Sequence, residues 1–155
     1  MNSTLEKTLQ RAHGRYFTDL ELGKLESYAK SYTIRAQAYS MLCDRADELI
    51  AKTLQRLEAT DQQVVQEHGD KCKRDMSYVL RAVGVAVLRD DADGFREHLL
   101  LWMHNIMAAL NKEQQSSRAY RLLQEVIRES MSVTGADLIN RLLQEFIDAL
   151  ESGVK

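Results

Sequence analysis

The sequence predicts an all-α protein, and three observations lead to that class. The chain of 155 residues contains no proline, and its seven glycines are scattered. Leu, Ala, Glu, Gln and Arg make up a large share of the residues, and all of them favour helices. Runs of β-branched residues with a period of two, which would indicate strands, are missing. The length is typical of one domain, so we expect a single helical domain over residues 1–155.

Composition and charge narrow the function classes. Hydrophobic residues make up 45% and charged residues 28% of the chain, as in an ordinary globular protein. The net charge of −2 argues against nucleic acid as a partner, since phosphate binding needs a basic surface. Two cysteines give no disulfide framework and suit a reducing, cytoplasmic compartment. Neither a membrane-spanning run of about twenty apolar residues nor a secretory signal is expected.

The first helices are predicted from their ends and from apolar spacing. A short polar helix is expected over Asn2–Ala12, and Thr18 with Glu21 fits a capping box that begins the second. The apolar residues of that second helix at core spacing are Leu22, Leu25 and Tyr28. A long third helix is predicted from about Thr33 to Ala59. Cys43 lies beside its apolar face, where we expect a small buried hydrophobic side chain.

The remaining chain is predicted as a polar connection, Ala59–Gly69, followed by a central helix and then three more helices. These three span about Ala92–Asn111, Ala119–Met131 and a last segment that ends near Leu150. Apolar residues recur at spacings of three and four in each of them. Periodicity by itself allows a plain helical bundle.

The central stretch Gly69–Leu88 carries the candidate chemistry. Its apolar stripe on a helix consists of Met76, Val79, Leu80, Val83 and Val87. Cys72 lies at the margin of this stripe, with Asp75 one turn further on. A thiol can tether a ligand, a carboxylate can accept hydrogen bonds from ring N–H groups, and cations can hold a ligand's acids. The other polar groups of this helix edge are Lys71, Arg74 and Tyr78. The alternative is an inert helical cysteine among solvated charges.

Three stretches resemble the phycobiliprotein family in order and spacing. Cys72–Asp75 and Ser77–Arg81 resemble its chromophore-attachment helix, which has the pattern C-x-R-D-x-x-Y-Y-L-R. Gly14–Leu22 resembles the G-R-[FY]-L-[ST]-x-x-E-L entry into the first globin-like helix. Ala46–Ile50 resembles the A-D-x-L-I of the following long helix in phycocyanin α-type subunits. The resemblance covers roughly Gly14–Leu110.

The resemblance implies a globin-like fold with an additional N-terminal helical segment. It also implies a light-harvesting subunit that passes excitation within a phycobilisome-type antenna. A linear tetrapyrrole, a phycocyanobilin-like bilin, would be joined by a thioether to Cys72. Asp75 would accept hydrogen bonds from the central pyrrole N–H groups, while Arg74 and Lys71 would pair with the propionates. Tyr78 would pack or hydrogen-bond against a ring.

Other function classes have less support. A colourless family member, structural or regulatory in antenna assembly or turnover, is favoured by the shortness of Ala59–Gly69, since the family has a longer connection over the bilin. The chain has no Gly-rich phosphate loop, no nucleophile elbow and no histidine next to Cys72 in sequence, so we do not expect an enzyme. His98 as the proximal ligand of a haem globin has no support from its surroundings. His98 and His104 are six residues apart, which does not fit two metal ligands on one helix face.

Several departures from the family bear on assembly. Phycobiliproteins pair through their N-terminal helices and then form rings. Arg11 stands where a family aspartate meets a partner's arginine, whereas Arg81, on the other side of such a bridge, is kept. Val79 and Val85 stand where aromatic residues are common, and Ala119 where α-type phycocyanins place a tryptophan. We expect a homodimer or a heterodimer with another phycobiliprotein subunit, linker or lyase proteins as further partners, and a location at the periphery of the thylakoid membrane.

Overall fold

The computed structural model describes residues 2–107 and 113–152, except for the side chains of residues 100, 104–107 and 113–115. Over these residues the chain forms seven helices and no strand, which confirms the all-α class. The helices are α1 (Ser3–Arg11), α2 (Asp19–Lys30), α3 (Tyr32–Thr60), α4 (Gln62–Arg89), α5 (Ala92–Met107), α6 (Glu113–Ser130) and α7 (Val133–Ser152). None of the helices in the described ranges is long and apolar enough to cross a membrane.

The core is built around α3, which packs most extensively against α4 and also against α6 and α7. The largest fully buried side chains of the core include Leu49, Ile50, Met76, Leu80, Leu123, Ile127, Ile139, Leu143, Phe146 and Ile147. The stripe predicted on α4 is confirmed, because its five apolar residues are all buried. Burying one such side chain contributes about 1.5–3 kcal/mol. The core therefore holds the C-terminal half of α4 firmly.

The connection between α3 and α4 is far shorter than the sequence suggested. The prediction of a polar connection over Ala59–Gly69 was wrong, since only Asp61 separates the two helices. The Asp61 side chain accepts a hydrogen bond from the backbone N–H of Val64 at 3.4 Å and caps α4. The stretch that follows has no proline, and Val64 and Val65 pack against the core, so the helix starts early. The polar residues of this stretch lie on the solvent side of α4.

The second helix differs from its predicted role. The capping box is confirmed: Glu21 N–H donates to Thr18 Oγ1 at 3.3 Å, and Thr18 N–H donates to Glu21 Oε2 at 2.9 Å. The core assignment of its apolar residues was wrong, because α2 buries none of its residues and Leu22 is 47% exposed. Among the described helices, α2 packs mainly against α1 and α3. Leu22 therefore lies on the surface, and Leu25 and Tyr28 are half-buried.

The N-terminal helix is tied to the start of α5. Ser3 Oγ donates a 2.8 Å hydrogen bond to Asp91 Oδ1, and Leu5 is buried. Asp91 Oδ1 also accepts the backbone N–H of Gly94 at 3.2 Å, which caps α5. A Cβ at Gly94 would lie 2.4 Å from Asp91 Oδ2, so a side chain at this position would displace the capping carboxylate. The Asp91 carboxylate thus links α1 to the turn between α4 and α5.

Candidate functional site

Cys72 and Asp75 lie on the inner edge of α4, and both are half-buried. Burial raises the pKa of the Cys72 thiol, the charge of Asp75 raises it further, and Lys71 opposes this effect. Burial also raises the pKa of Asp75, against the lowering influence of Lys71 and Arg74. Desolvation disfavours the charged form of each group. The site therefore holds a thiol and a carboxyl group whose charged forms are both disfavoured by burial.

Tyr120 on α6 completes this group, and the sequence did not reveal it. Its side chain is 5% exposed, and its hydroxyl has no hydrogen-bond partner within the described part of the structure. Burial raises its pKa well above the usual value, and the charges of Asp75 and Cys72 raise it further. A buried tyrosine hydroxyl normally has a partner. Because Tyr120 follows the spacing of Leu123 and Ile127, its position in the sequence indicates only core.

The two predicted cations lie at the surface beside this group. Lys71 and Arg74 are exposed, and both lower the pKa of Asp75. Cys72 and Asp75 thus lie half-buried on α4 with Tyr120 within electrostatic reach of both, and Lys71 and Arg74 are exposed on the same helix. Cations in this position can meet acids of a ligand that extend towards solvent.

Tyr78 has a well-defined setting of its own. Its hydroxyl lies 2.8 Å from His98 Nε2, and its ring stacks on Trp102 at 5.5 Å between centroids and 14° between planes. Trp102 contacts Phe146 at 5.6 Å, and Phe146 contacts the edge of Tyr120 at 4.7 Å. A row of aromatic rings therefore runs from Tyr78 to Tyr120. Trp102 is half-buried and belongs to this row.

A cavity of about 540 Å³ lies between α4 and α5 and is lined by Tyr78, Arg81, Ala82, Val85, Phe95 and His98, among others. This volume is within the range of small-molecule sites, about 300–1,000 Å³. Of the five predicted site residues, Tyr78 lines this cavity. The other four lie on the preceding turns of α4.

The remaining candidates are also placed by the structure. His98 is exposed and hydrogen-bonded to Tyr78, while the side chain of His104 lies outside the described residues. No group of three or more metal-ligating side chains occurs among the residues that the structure describes. Cys43 is exposed, so the prediction of a buried Cys43 was wrong. It lies one turn from Tyr39, and its proximity raises the pKa of the Tyr39 hydroxyl.

Comparison with known families gives a match over most of the chain. The Phycobilisome family model, described as phycobilisome protein, matches residues 10–150. This range extends well beyond the Gly14–Leu110 stretch in which the motifs were recognised. Comparison with curated proteins gave no match. The helical architecture agrees with the globin-like fold of this family and its additional N-terminal helical segment, as predicted. The chain therefore belongs to the phycobilisome protein family, whose members are light-harvesting pigment proteins.

Proposed function

We propose that the protein is a bilin-binding, phycobiliprotein-like subunit that carries a tetrapyrrole in thioether linkage at Cys72. Its role would be light harvesting and excitation transfer in a phycobilisome-type antenna. Family membership supports the general role. The pigment is supported by Cys72 and Asp75, one turn apart on α4, and by the buried Tyr120, because they offer a tether, a carboxyl group and a hydroxyl that has no hydrogen-bond partner in the described structure.

The unpartnered hydroxyl of Tyr120 is the observation that carries this proposal. Leaving a buried hydroxyl without a hydrogen bond costs about 1–3 kcal/mol. A side chain with this cost persists more readily where a ligand supplies the missing bond. The oxygen belongs to a ring within electrostatic reach of both Cys72 and Asp75. A tetrapyrrole with its polar nitrogens and carbonyls fits this need.

The other residues have roles that follow from their positions. Asp75, whose pKa is raised by burial, would accept hydrogen bonds from the central pyrrole N–H groups. Arg74 and Lys71 are exposed cations that would pair with the propionates, Arg74 through two parallel hydrogen bonds. Tyr78 is already bonded to His98 and stacked on Trp102, so it would contact the ligand as part of a fixed aromatic wall.

A bilin in this site would supply the absorption of visible light. The chain would contribute rigidity, because the turn of α4 that follows Asp75 is buried against the core. A firmly held pigment loses less excitation as heat than one free to twist. A thioether also keeps the pigment in place where a disulfide would be reduced.

The second candidate is a colourless family member with a structural or regulatory role. The tight corner between α3 and α4 favours it, since only Asp61 separates these helices and no longer connection can fold over Cys72. The position of the 540 Å³ cavity also favours the colourless alternative, because this cavity lies beside Tyr78, further along α4 than Cys72.

Assembly with another subunit is proposed from the surface near the N-terminus. Six exposed large apolar residues lie between residues 16 and 34: Tyr16, Phe17, Leu20, Leu22, Tyr32 and Ile34. Exposed apolar patches of this kind mark interaction surfaces. We infer that this face pairs with a second copy or with another phycobiliprotein subunit, in a complex at the thylakoid surface.

One experiment tests the pigment directly. The protein is produced together with bilin-making enzymes and a lyase, denatured, and examined on a gel for zinc-induced fluorescence. We expect a fluorescent band that Cys72→Ala abolishes and that Cys43→Ala, the matched control on the other thiol, retains. An unlabelled wild-type band, under conditions that label a known phycobiliprotein, would support the colourless alternative.

A further inference from the structure

The exposed end of the aromatic row is a tyrosine that lies against a base. The Tyr78 hydroxyl is 2.8 Å from His98 Nε2, and both side chains are exposed. A positioned base takes a proton from a neighbouring group at a distance of about 2.6–3.2 Å. With the imidazole proton on Nδ1, Nε2 is the acceptor. The pair therefore has the geometry to pass the phenolic proton to His98.

Trp102 is the only tryptophan of the chain, and its ring lies directly against that of Tyr78. The ring centroids are 5.5 Å apart and the planes differ by 14°, so an electron can pass between the rings without an intervening group. A small cavity behind the two rings is also lined by Val79, Phe95 and Leu99. Its volume of about 10 Å³ is no larger than one water molecule needs. Apolar side chains therefore hold the stacked rings from the inner side.

The buried end of the same row has no such base. The Tyr120 hydroxyl has no hydrogen-bond partner among the residues that the structure describes, and its side chain is 5% exposed. A tyrosine that cannot release its proton is hard to oxidise. Phe146, which is fully buried, contacts both Trp102 and Tyr120, and a phenylalanine ring is harder to oxidise than either. An oxidised Trp102 therefore takes an electron from Tyr78 rather than from Tyr120.

We propose that Trp102, Tyr78 and His98 form a redox relay, which moves a one-electron oxidation of the protein outward to the exposed tyrosine. A one-electron oxidant, such as a small oxidising radical, removes an electron from the indole, and the indole N–H proton passes to solvent. Tyr78 then gives one electron to the indole radical, its O–H bond breaks, and the proton forms an N–H bond at His98 Nε2. The indole regains its proton from solvent, and a phenoxyl radical remains on Tyr78.

The relay would protect the tryptophan and the core behind it. The Tyr78 side chain is 37% exposed, so a small soluble reductant, such as a thiol or ascorbate, can reach its radical. The reductant supplies one electron and His98 returns the proton, which restores the phenol. An indole radical left in place would instead react with oxygen and alter a ring that packs on Phe146. The relay goes beyond the proposed function, because no pigment takes part in it.

The first test follows the relay after a single oxidising pulse. Azidyl radicals, generated by pulse radiolysis, oxidise Trp102 in the full chain, and the visible absorption bands of the indole and phenoxyl radicals are recorded against time. We expect the indole radical to decay into a phenoxyl radical at a rate that is independent of protein concentration and slower in heavy water. Tyr78→Phe should abolish this phase. Tyr120→Phe, the matched change at the buried end of the row, should retain it.

His98→Gln tests the proton acceptor, because glutamine can accept a hydrogen bond but cannot take up the proton. We expect transfer to Tyr78 to slow by about a hundredfold, a typical contribution of a positioned base. An unchanged rate in His98→Gln would overturn the role of His98. A phase that persists in Tyr78→Phe, or that is lost in Tyr120→Phe, would overturn the relay. The three substitutions keep side chains of similar size, and thermal unfolding verifies that each variant is folded.

The second test measures protection. The parent and the three variants are exposed to a continuous source of the same radicals with ascorbate present, and oxidised Trp102 is quantified by mass spectrometry after digestion. Tyr78→Phe and His98→Gln should accumulate oxidised Trp102 several times faster than the parent, and Tyr120→Phe should match the parent. Equal rates in all four proteins would overturn the protective role. Since no bilin is present, these results are independent of whether Cys72 carries a pigment.

Discussion

The two halves of α4 behave as different structures within one helix. From Met76 onward the helix contributes seven buried residues, whereas residues 62–75 contribute none. The C-terminal half packs into the core, and the N-terminal half rests on it through partly buried residues such as Val64 and Val65. Cys72 and Asp75 lie where one half passes into the other. The boundary gives a tether both things it needs, a rigid support behind it and access from solvent.

The largest effect should come from the buried half. Leu80→Ala should lower the free energy of unfolding by about 2–5 kcal/mol, because Leu80 is 1% exposed and its removal leaves a cavity. Lys73→Ala, an exposed change on the other half of the same helix, should alter it by less than about 0.5 kcal/mol. Denaturant unfolding of both variants measures the difference, and equal effects would contradict the division of α4 into two halves.

The next test concerns the start of α4. Gln66→Pro should destabilise the protein by about 3 kcal/mol, since proline in a helix interior removes a hydrogen bond and clashes with the preceding turn. Gln62→Pro should be tolerated, because proline is favoured at the first position of a helix. Thermal or chemical unfolding compares the two. If both changes are mild, the stretch after Asp61 is a loop, as the sequence suggested.

A smaller effect of opposite sign is expected at the site itself. Tyr120→Phe should raise the free energy of unfolding by about 1 kcal/mol, because it removes a buried hydroxyl that has no partner. Tyr78→Phe is the matched change at a hydroxyl that does bond, 2.8 Å from His98 Nε2, and it should be destabilising. Unfolding in denaturant measures both. A destabilised Tyr120→Phe variant would mean that the hydroxyl is already satisfied without a ligand.

The smallest effect is a contrast in pH dependence between two carboxylates. The folded pKa of Asp75 is raised, so its ionised form weakens the fold at neutral pH, and this penalty fades as the pH falls towards the ordinary value of 3.8. Asp75→Asn should therefore slightly raise the denaturation midpoint at pH 7 and alter that midpoint little at pH 3.

The pKa of Asp91 is shifted in the opposite direction. Burial alone would raise this pKa, but hydrogen bonds from Ser3 and Gly94 outweigh burial and lower it.

Asp91 therefore contributes stability that is present above its unfolded pKa and is lost as the pH falls through its folded pKa. Asp91→Asn should lower the midpoint at pH 7, with a smaller loss at acidic pH. Unfolding curves at several pH values measure both variants. A pH dependence of the same sign for the two would contradict the burial and bonding described here.

The buried stripe of α4 followed from the sequence, whereas the start of that helix and the exposure of Leu22 did not. The stripe from Met76 to Val87 was recognised because a helix packed on a core must repeat its apolar residues. The start of α4 was missed because Ala59–Gly69 is polar, and polarity marks the solvent side of a helix as well as it marks a loop. Leu22 was wrongly assigned to the core because an apolar residue can also lie on the surface. Its spacing indicates an apolar face, but spacing does not say whether this chain or another one covers that face.

The site was predicted along the helix but not across helices. Cys72 and Asp75 come from one motif, and α4 brings them together as expected. Tyr120 comes from α6, nearly fifty residues later, and only the folded structure shows that it lies within electrostatic reach of both. The exposed position of Cys43 was missed for a related reason, since a residue at the margin of an apolar face can be either buried in the core or exposed to solvent.

The central claim is that Cys72, supported by Asp75 and Tyr120, carries a tetrapyrrole. Peptide mapping by mass spectrometry tests this claim most directly, on protein produced together with a bilin and denatured before digestion. We predict the added mass of one bilin on the peptide that contains Cys72 and none on the peptide that contains Cys43. Pigment on Cys43, or an unmodified Cys72 in a preparation that labels a known phycobiliprotein, would contradict the account.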